Sequence, residues 1–183
     1  MEFEPQRVLT KKQRPVTLRM IDPNEAQSLL ESMVEIAETS PYVLSSPEDF
    51  KKMSLGEEVS WIKSYNDNLR ACLIVAEFES KVVGILDFKC YKNPKSRHRG
   101  GLGISLHNNM RGEGLGELLF KKLIAEVQKI SDLMILELSV MSDNHQAYHL
   151  YKKVGFVEVG RKPMAYKQPD GMFNDDIMMV LKL

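Results

Sequence analysis

The chain has 183 residues, with 25 Lys plus Arg against 25 Asp plus Glu, and 43% of its residues are hydrophobic. That length suits one domain with a core of its own. The balanced charge argues against a nucleic-acid partner, which needs a basic excess, and no apolar run approaches the ~20 residues of a membrane span.

Residues 1–14 are polar and aperiodic and predict a mobile leader. They lack the basic and apolar regions of a secretory signal. Residues 15–183 read as the single domain. Val16, Leu18 and Met20 alternate with Thr17 and Arg19, which predicts a strand over 15–20. Asp22 and Pro23 suit the start of a helix with Ala26, Leu29, Leu30, Met33, Val34 and Ala37 on one face, stopped at Ser40-Pro41. Residues 42–56 read as a turn-rich connection. Residues 57–66 read as a second helix, with Val59, Trp61, Ile62 and Tyr65 as its apolar set. Strands at 69–78 and 82–91 make an antiparallel hairpin around 79–81. Cys72 and Cys90 fall in those strands and read as buried free thiols of a reducing cytoplasm. A basic loop at 93–97 leads into a strand at 98–106.

The next stretch carries the chemistry. Gly112, Gly114 and Gly116 alternate just before a helix whose face holds Leu115, Leu118, Leu119, Lys122, Leu123 and Val127. Such a loop lets backbone N–H groups approach an anion, and they lead into a helix N-terminus that favours one. Strand, glycine loop and helix therefore make a phosphate cradle. It is not a nucleotide P-loop, because no Gly-Lys-Ser/Thr follows. It is not a dinucleotide fingerprint either, because Glu117 stands where G-x-G-x-x-G needs its last glycine. The spacing that fits is R-x-x-G-x-G, from Arg111 to Gly116.

After that helix, residues 133–140 read as a strand that a βαβ crossover makes parallel to its neighbour. Residues 145–154 read as a helix with Ala147, Leu150, Tyr151 and Val154 on one face and Gly155 as its C-terminal cap. A strand at 156–161, a Pro-Asp-Gly turn at 167–171 and a strand at 177–183 close the chain. His145 and His149 have i, i+4 spacing but no third ligand, so no metal site is expected.

A second motif, L-x-V-x-x-x-N-x-x-A-x-x-L-Y-x-x-x-G-F, runs from Leu138 to Phe156. With R-x-x-G-x-G before it, the chain resembles the GNAT superfamily of acyl-CoA-dependent N-acyltransferases, in its bacterial group of ribosomal-protein and small-amine acetyltransferases. The resemblance covers residues 16–183. It implies one α/β domain (α+β in some schemes) with a mixed, mostly antiparallel sheet of six to seven strands, about four helices and a splayed central strand pair. It implies acetyl-CoA as acyl donor, a primary amine as acceptor and direct attack through a tetrahedral intermediate. The backbone of Ile104, Ser105 and Leu106 would pair with the pantetheine arm. The amides of Gly112, Glu113, Gly114, Leu115, Gly116 and Glu117 would hold the pyrophosphate. Arg111 would pair with phosphate or brace the strand end, and Asn144 would contact the cofactor or cap the helix it precedes. Tyr151 would stand beside the thioester sulfur, or be a core aromatic. A phenol near pKa 10 stays protonated and can give a proton to a departing thiolate whose thiol has pKa about 8.5.

The attacking amine, near pKa 10, must lose a proton first. Relatives carry glutamate where Ser139 and Gly101 stand here, so the base is open. Glu137 shares the strand parity of Ser139 and is the nearest substitute; Asp87 and His98 are others. The oxyanion would lie near the amides around Leu106. Two other readings remain: an acyl-CoA-binding sensor without turnover, and acetylation of protein N-termini. The early helices and the closing loop would form the acceptor walls, and the last strands would pair in a homodimer.

Overall fold

A computed structural model describes residues 3–183. Among the described residues, eight strands form one sheet in the order β1-β2-β3-β4-β5-β6-β8-β7. They are β1 (Gln6–Leu9), β2 (Pro15–Met20), β3 (Ala71–Phe78), β4 (Lys81–Cys90), β5 (Arg99–Leu106), β6 (Ile135–Met141), β7 (Val157–Lys167) and β8 (Phe173–Lys182). The β5–β6 pair is parallel and the other neighbours are antiparallel. The α-helices are α1 (Ala26–Glu38), α2 (Pro47–Lys52), α3 (Leu55–Asn66), α4 (Leu115–Val127) and α5 (His145–Val154).

Helices cover both faces, which is why the central strands are almost continuously apolar. On β3, Cys72, Ile74 and Ala76 join the core beneath α4 and α5. Ala71, Leu73 and Val75 point the other way and pack with Leu29 of α1 and Ile62 and Tyr65 of α3. Both cysteines are free and buried.

Three expectations need correction. Met1 and Glu2 lie outside the described residues, but the rest of the expected mobile leader is built into the fold. Gln6–Leu9 pairs with β2. Phe3 is buried in the α4 core, with the Lys122 ammonium 4.3 Å from its ring. An edge strand held by backbone pairing needs no apolar alternation, so β1 left no period in the sequence. It raises the expected six to seven strands to eight. Second, the 42–56 connection contains α2, started by Pro47 and by a reciprocal Ser46–Asp49 cap. Third, the last two strands are a longer hairpin than expected, because β7 runs on to Lys167 and β8 begins at Phe173.

Candidate active site

β5 and β6 pair only where Arg99, Gly100 and Gly101 face Ile135, Leu136 and Glu137. Beyond that point the strands part, and β6 continues its ladder with β8 alone. A cavity of about 910 Å³ opens in the gap, a size suited to a small-molecule site. Ile104, Ser105 and Leu106 line one edge and Ser139, Val140 and Met141 the other.

The gap joins the two faces of the sheet. Leu138, Val140 and Ile177 point into the α4–α5 core. Ser139 and Asp176 therefore point to the α1–α3 face, where Ile85 places Asp87 as well. Tyr151 reaches the cavity from α5 on the opposite face. A ligand threaded through the gap meets α3 on one side and Tyr151 on the other.

Gly112 and Gly114 have φ of +74° and +80°, conformations that L side chains rarely adopt. Gly114 is the N-cap of α4 and supplies no capping side chain. Among the described residues, the amides of 112–117 make no hydrogen bond within the protein. Gly112, Gly114, Leu115, Gly116 and Glu117 line the cavity, so these donors stand where an anion would lie. Arg111 also lines it. Its Nε donates to the Leu106 carbonyl (3.1 Å) and its Nη1 to that of Thr39 (3.4 Å). No carboxylate pairs with it among the described residues, so both the bracing and the phosphate roles fit.

Glu113 departs from its expected surroundings. It does not line the cavity; its carboxylate is 0% exposed and turned beneath the loop. There it accepts from Thr10 Oγ1 (3.1 Å) and pairs with Lys12 (3.2 Å) and Arg14 (3.0 Å). Burial opposes its charge, but Lys12, Thr10 and Arg14 together hold its pKa below the usual range. The backbone of the same segment joins in, since Lys11 N donates to the Glu113 carbonyl at 2.8 Å. The Lys11 stem lies over Gly114, where an added Cβ would come within 3.2 Å of it, and Lys11 lines the cavity. Sequence reading missed Lys11; the basic run 11–14 was its only trace.

Tyr151 is 6% exposed and packs edge-on to Phe120 at 5.6 Å. Its hydroxyl has no partner among the described residues, and burial pushes its pKa up to about 12. Asn144 caps α5 by accepting from Ala147 N (3.2 Å) and also lines the cavity. The expected base does not reach the site. Glu137 has the right parity, but it sits at the last closed rung of the β5–β6 ladder, where Arg99 pairs with it, and it does not line the cavity. His98 does not line it either. Asp87 does; burial raises its pKa while Tyr65, donating at 3.1 Å, opposes the rise.

The carboxylate that sequence reading missed is Glu58. It is 4% exposed and lines the cavity from α3. It makes no ion pair or side-chain hydrogen bond among the described residues, and burial alone pushes its pKa up to about 7. The signal was present: residues 58, 62 and 65 share one face of α3, and Ile62 and Tyr65 are buried. Among the described residues, no group of three or more His, Cys, Asp or Glu is placed to hold a metal ion, and no helix is long and apolar enough to cross a membrane.

A family model described as the acetyltransferase (GNAT) family matches residues 30–156. An L-amino acid N-acetyltransferase of Escherichia coli K12, AaaT, is 27% identical over 106 residues, covering 58% of this chain and 65% of that protein. The matched stretch thus spans just under two thirds of that curated relative. A GNAT-family acetyltransferase of Streptococcus pneumoniae superposes with a TM-score of 0.86 at 23% identity, over 92% of this chain and 99% of that one. YncA of Salmonella typhimurium, solved with its cofactor acetyl-CoA, gives 0.78 at 20% identity, over 92% and 94%.

Proposed function

Because this chain belongs to the acetyltransferase (GNAT) family, we propose that it is an N-acetyltransferase that moves the acetyl group of acetyl-CoA to a primary amine. One observation carries the reading: the parted strands open beside a run of unpaired amides, with the free hydroxyl of Tyr151 on the same cavity. The residues fit the donor, since those amides and the uncompensated cations Lys11 and Arg111 suit a diphosphate, and the open edge of Ile104, Ser105 and Leu106 suits an amide-bearing arm. Bound there, acetyl-CoA supplies the activated thioester.

The protein's own groups manage the protons. Glu58 takes the proton that an incoming ammonium must shed, and its raised pKa near 7 suits that task at neutral pH. Tyr151, kept neutral by burial, hydrogen-bonds to the sulfur and gives it a proton as the C–S bond breaks. Asn144 holds the start of α5, and with it the approach to Tyr151. The buried free cysteines fit a cytoplasmic setting. The homodimer pairs through the outer hairpin, whose Val157, Val159 and Met178 are exposed; sedimentation velocity tests that part.

Thiol release from acetyl-CoA across a panel of amines and N-terminal peptides tests the reading. Release that depends on amine, and that drops about a hundredfold or more in kcat in Tyr151→Phe, supports it. Tight CoA binding with no release for any acceptor would instead favour a non-catalytic sensor. Peptides outrunning every small amine would assign the acceptor to protein N-termini.

A further inference from the structure

Charge is divided along the cavity. Its lining cations among the described residues are Lys11, Arg111 and Lys153; Lys153 pairs with Glu117 at 2.5 Å at the glycine-loop end, and Arg111 reaches from that loop to the Thr39 carbonyl at the end of α1. The α1–α3 side carries Glu57, Glu58, Asp87 and Asp176, and its own elements contribute no lining Lys, Arg or His among the described residues. Two of these four acids are already engaged. Glu57 closes the cap of α3 with Ser54 (2.7 Å), and Asp87 accepts from Tyr65. Of the other two, Asp176 meets the Tyr166 side chain but keeps Oδ1 buried without a hydrogen-bond donor, and Glu58 is 4% exposed with no side-chain partner for its carboxylate among the described residues. Met33, Phe50, Met53 and Trp61 supply an apolar and aromatic wall on the same side.

Unpaired buried carboxylate oxygens are costly, so such sites are completed by a ligand that brings donors. We infer that the acceptor is an organic diamine or polyamine, whose reacting nitrogen lies against Glu58 and whose second ammonium lies against Asp176, with its methylene chain along the apolar wall. An α-amino acid fits poorly, because beside Glu58 and Asp176 its carboxylate would meet acids. Charge selection of this kind works as much by repelling the wrong ligand as by holding the right one. The turnover part of the inference rests on the acetyltransferase reading above; the binding part stands without it.

Calorimetry on the CoA-loaded protein with 1,4-diaminobutane, butylamine and leucine, run beside thiol release from acetyl-CoA, tests the inference. The diamine is expected to bind about tenfold or more tighter than butylamine, a difference of the size one added charged contact gives, and leucine is expected to give no heat. Asp176→Asn is expected to narrow the gap between diamine and butylamine to less than about threefold. Equal affinity for diamine and butylamine in the unaltered protein, a comparison that needs no variant, overturns the inference. So does turnover of leucine in preference to both amines. Diamine binding without thiol release keeps this inference and removes the acetyltransferase reading; leucine turnover without diamine binding does the reverse.

Discussion

Glu58 and Tyr151 face the same cavity without hydrogen-bond partners among the described residues, and burial raises both pKa values. The consequences are opposite. A phenol raised to about 12 is neutral throughout the working range and is always ready to donate. A carboxyl raised to about 7 changes state within that range. A base must be ionised to act, so kcat/KM is expected to climb with pH through about 7, and a pH profile of Glu58→Gln is expected to lose that limb. Stability follows the other sign. The folded pKa of Glu58 lies above its unfolded value, so its stabilising contribution is complete below about 4.5 and is lost as pH rises through about 7. After allowance for solvent reaching the cavity, the loss is about 1–2 kcal/mol, and Glu58→Gln is expected to melt higher than the unaltered protein at pH 8. Glu58 was hidden in the sequence because a carboxylate on an amphipathic helix normally belongs to the wet side. Only its phase with Ile62 and Tyr65 gave it away.

The glycine loop and the segment beneath it behave as one element. Gly114 combines a φ of +80° with the Lys11 stem lying against its open side. Gly114→Ala therefore meets backbone strain of about 1–2 kcal/mol as well as contact with Lys11, and is expected to weaken acetyl-CoA binding measured by calorimetry. Lys11→Ala is expected to raise the CoA dissociation constant about fivefold, with the difference fading at high salt because the lost contact is a screened charge. The loop, the crossover and the parallel pair were legible from glycine spacing, helical periodicity and chain order. The parting of β5 and β6 was not, because no local pattern marks the rung after which two strands diverge. It entered through the resemblance of residues 111–156 to a known family. For the same reason Glu137 looked usable: strand parity gives the face a side chain takes, but not whether the ladder beside it is open.

At the scale of the molecule, the chain's first strand is part of the site's foundation. Phe3 lies in the core that also contains Leu119, Phe120 and Tyr151, so Phe3→Ala is expected to cost about 3–5 kcal/mol of stability by thermal or urea unfolding. Removing residues 1–14 takes away β1, the buried Phe3 and the Thr10, Lys12 and Arg14 partners of the Glu113 carboxylate at once. The truncated protein is expected to melt lower and to bind acetyl-CoA more weakly than either Phe3→Ala or Lys11→Ala. These residues read as a leader because a sheet edge needs only backbone groups, and a lysine-rich segment resembles solvated chain until its buried counter-charge, Glu113, is located.

That counter-charge has a practical outcome. Residues 10–14 are basic, and the bonds after Lys11 and Lys12 are of the kind trypsin attacks. Here they are fastened to the glycine loop through Glu113. Whatever quiets that loop should also shield the scissile bonds after Lys11 and Lys12, so a digestion time course with and without CoA would read occupancy as a slower clip, with no label and no knowledge of the acceptor.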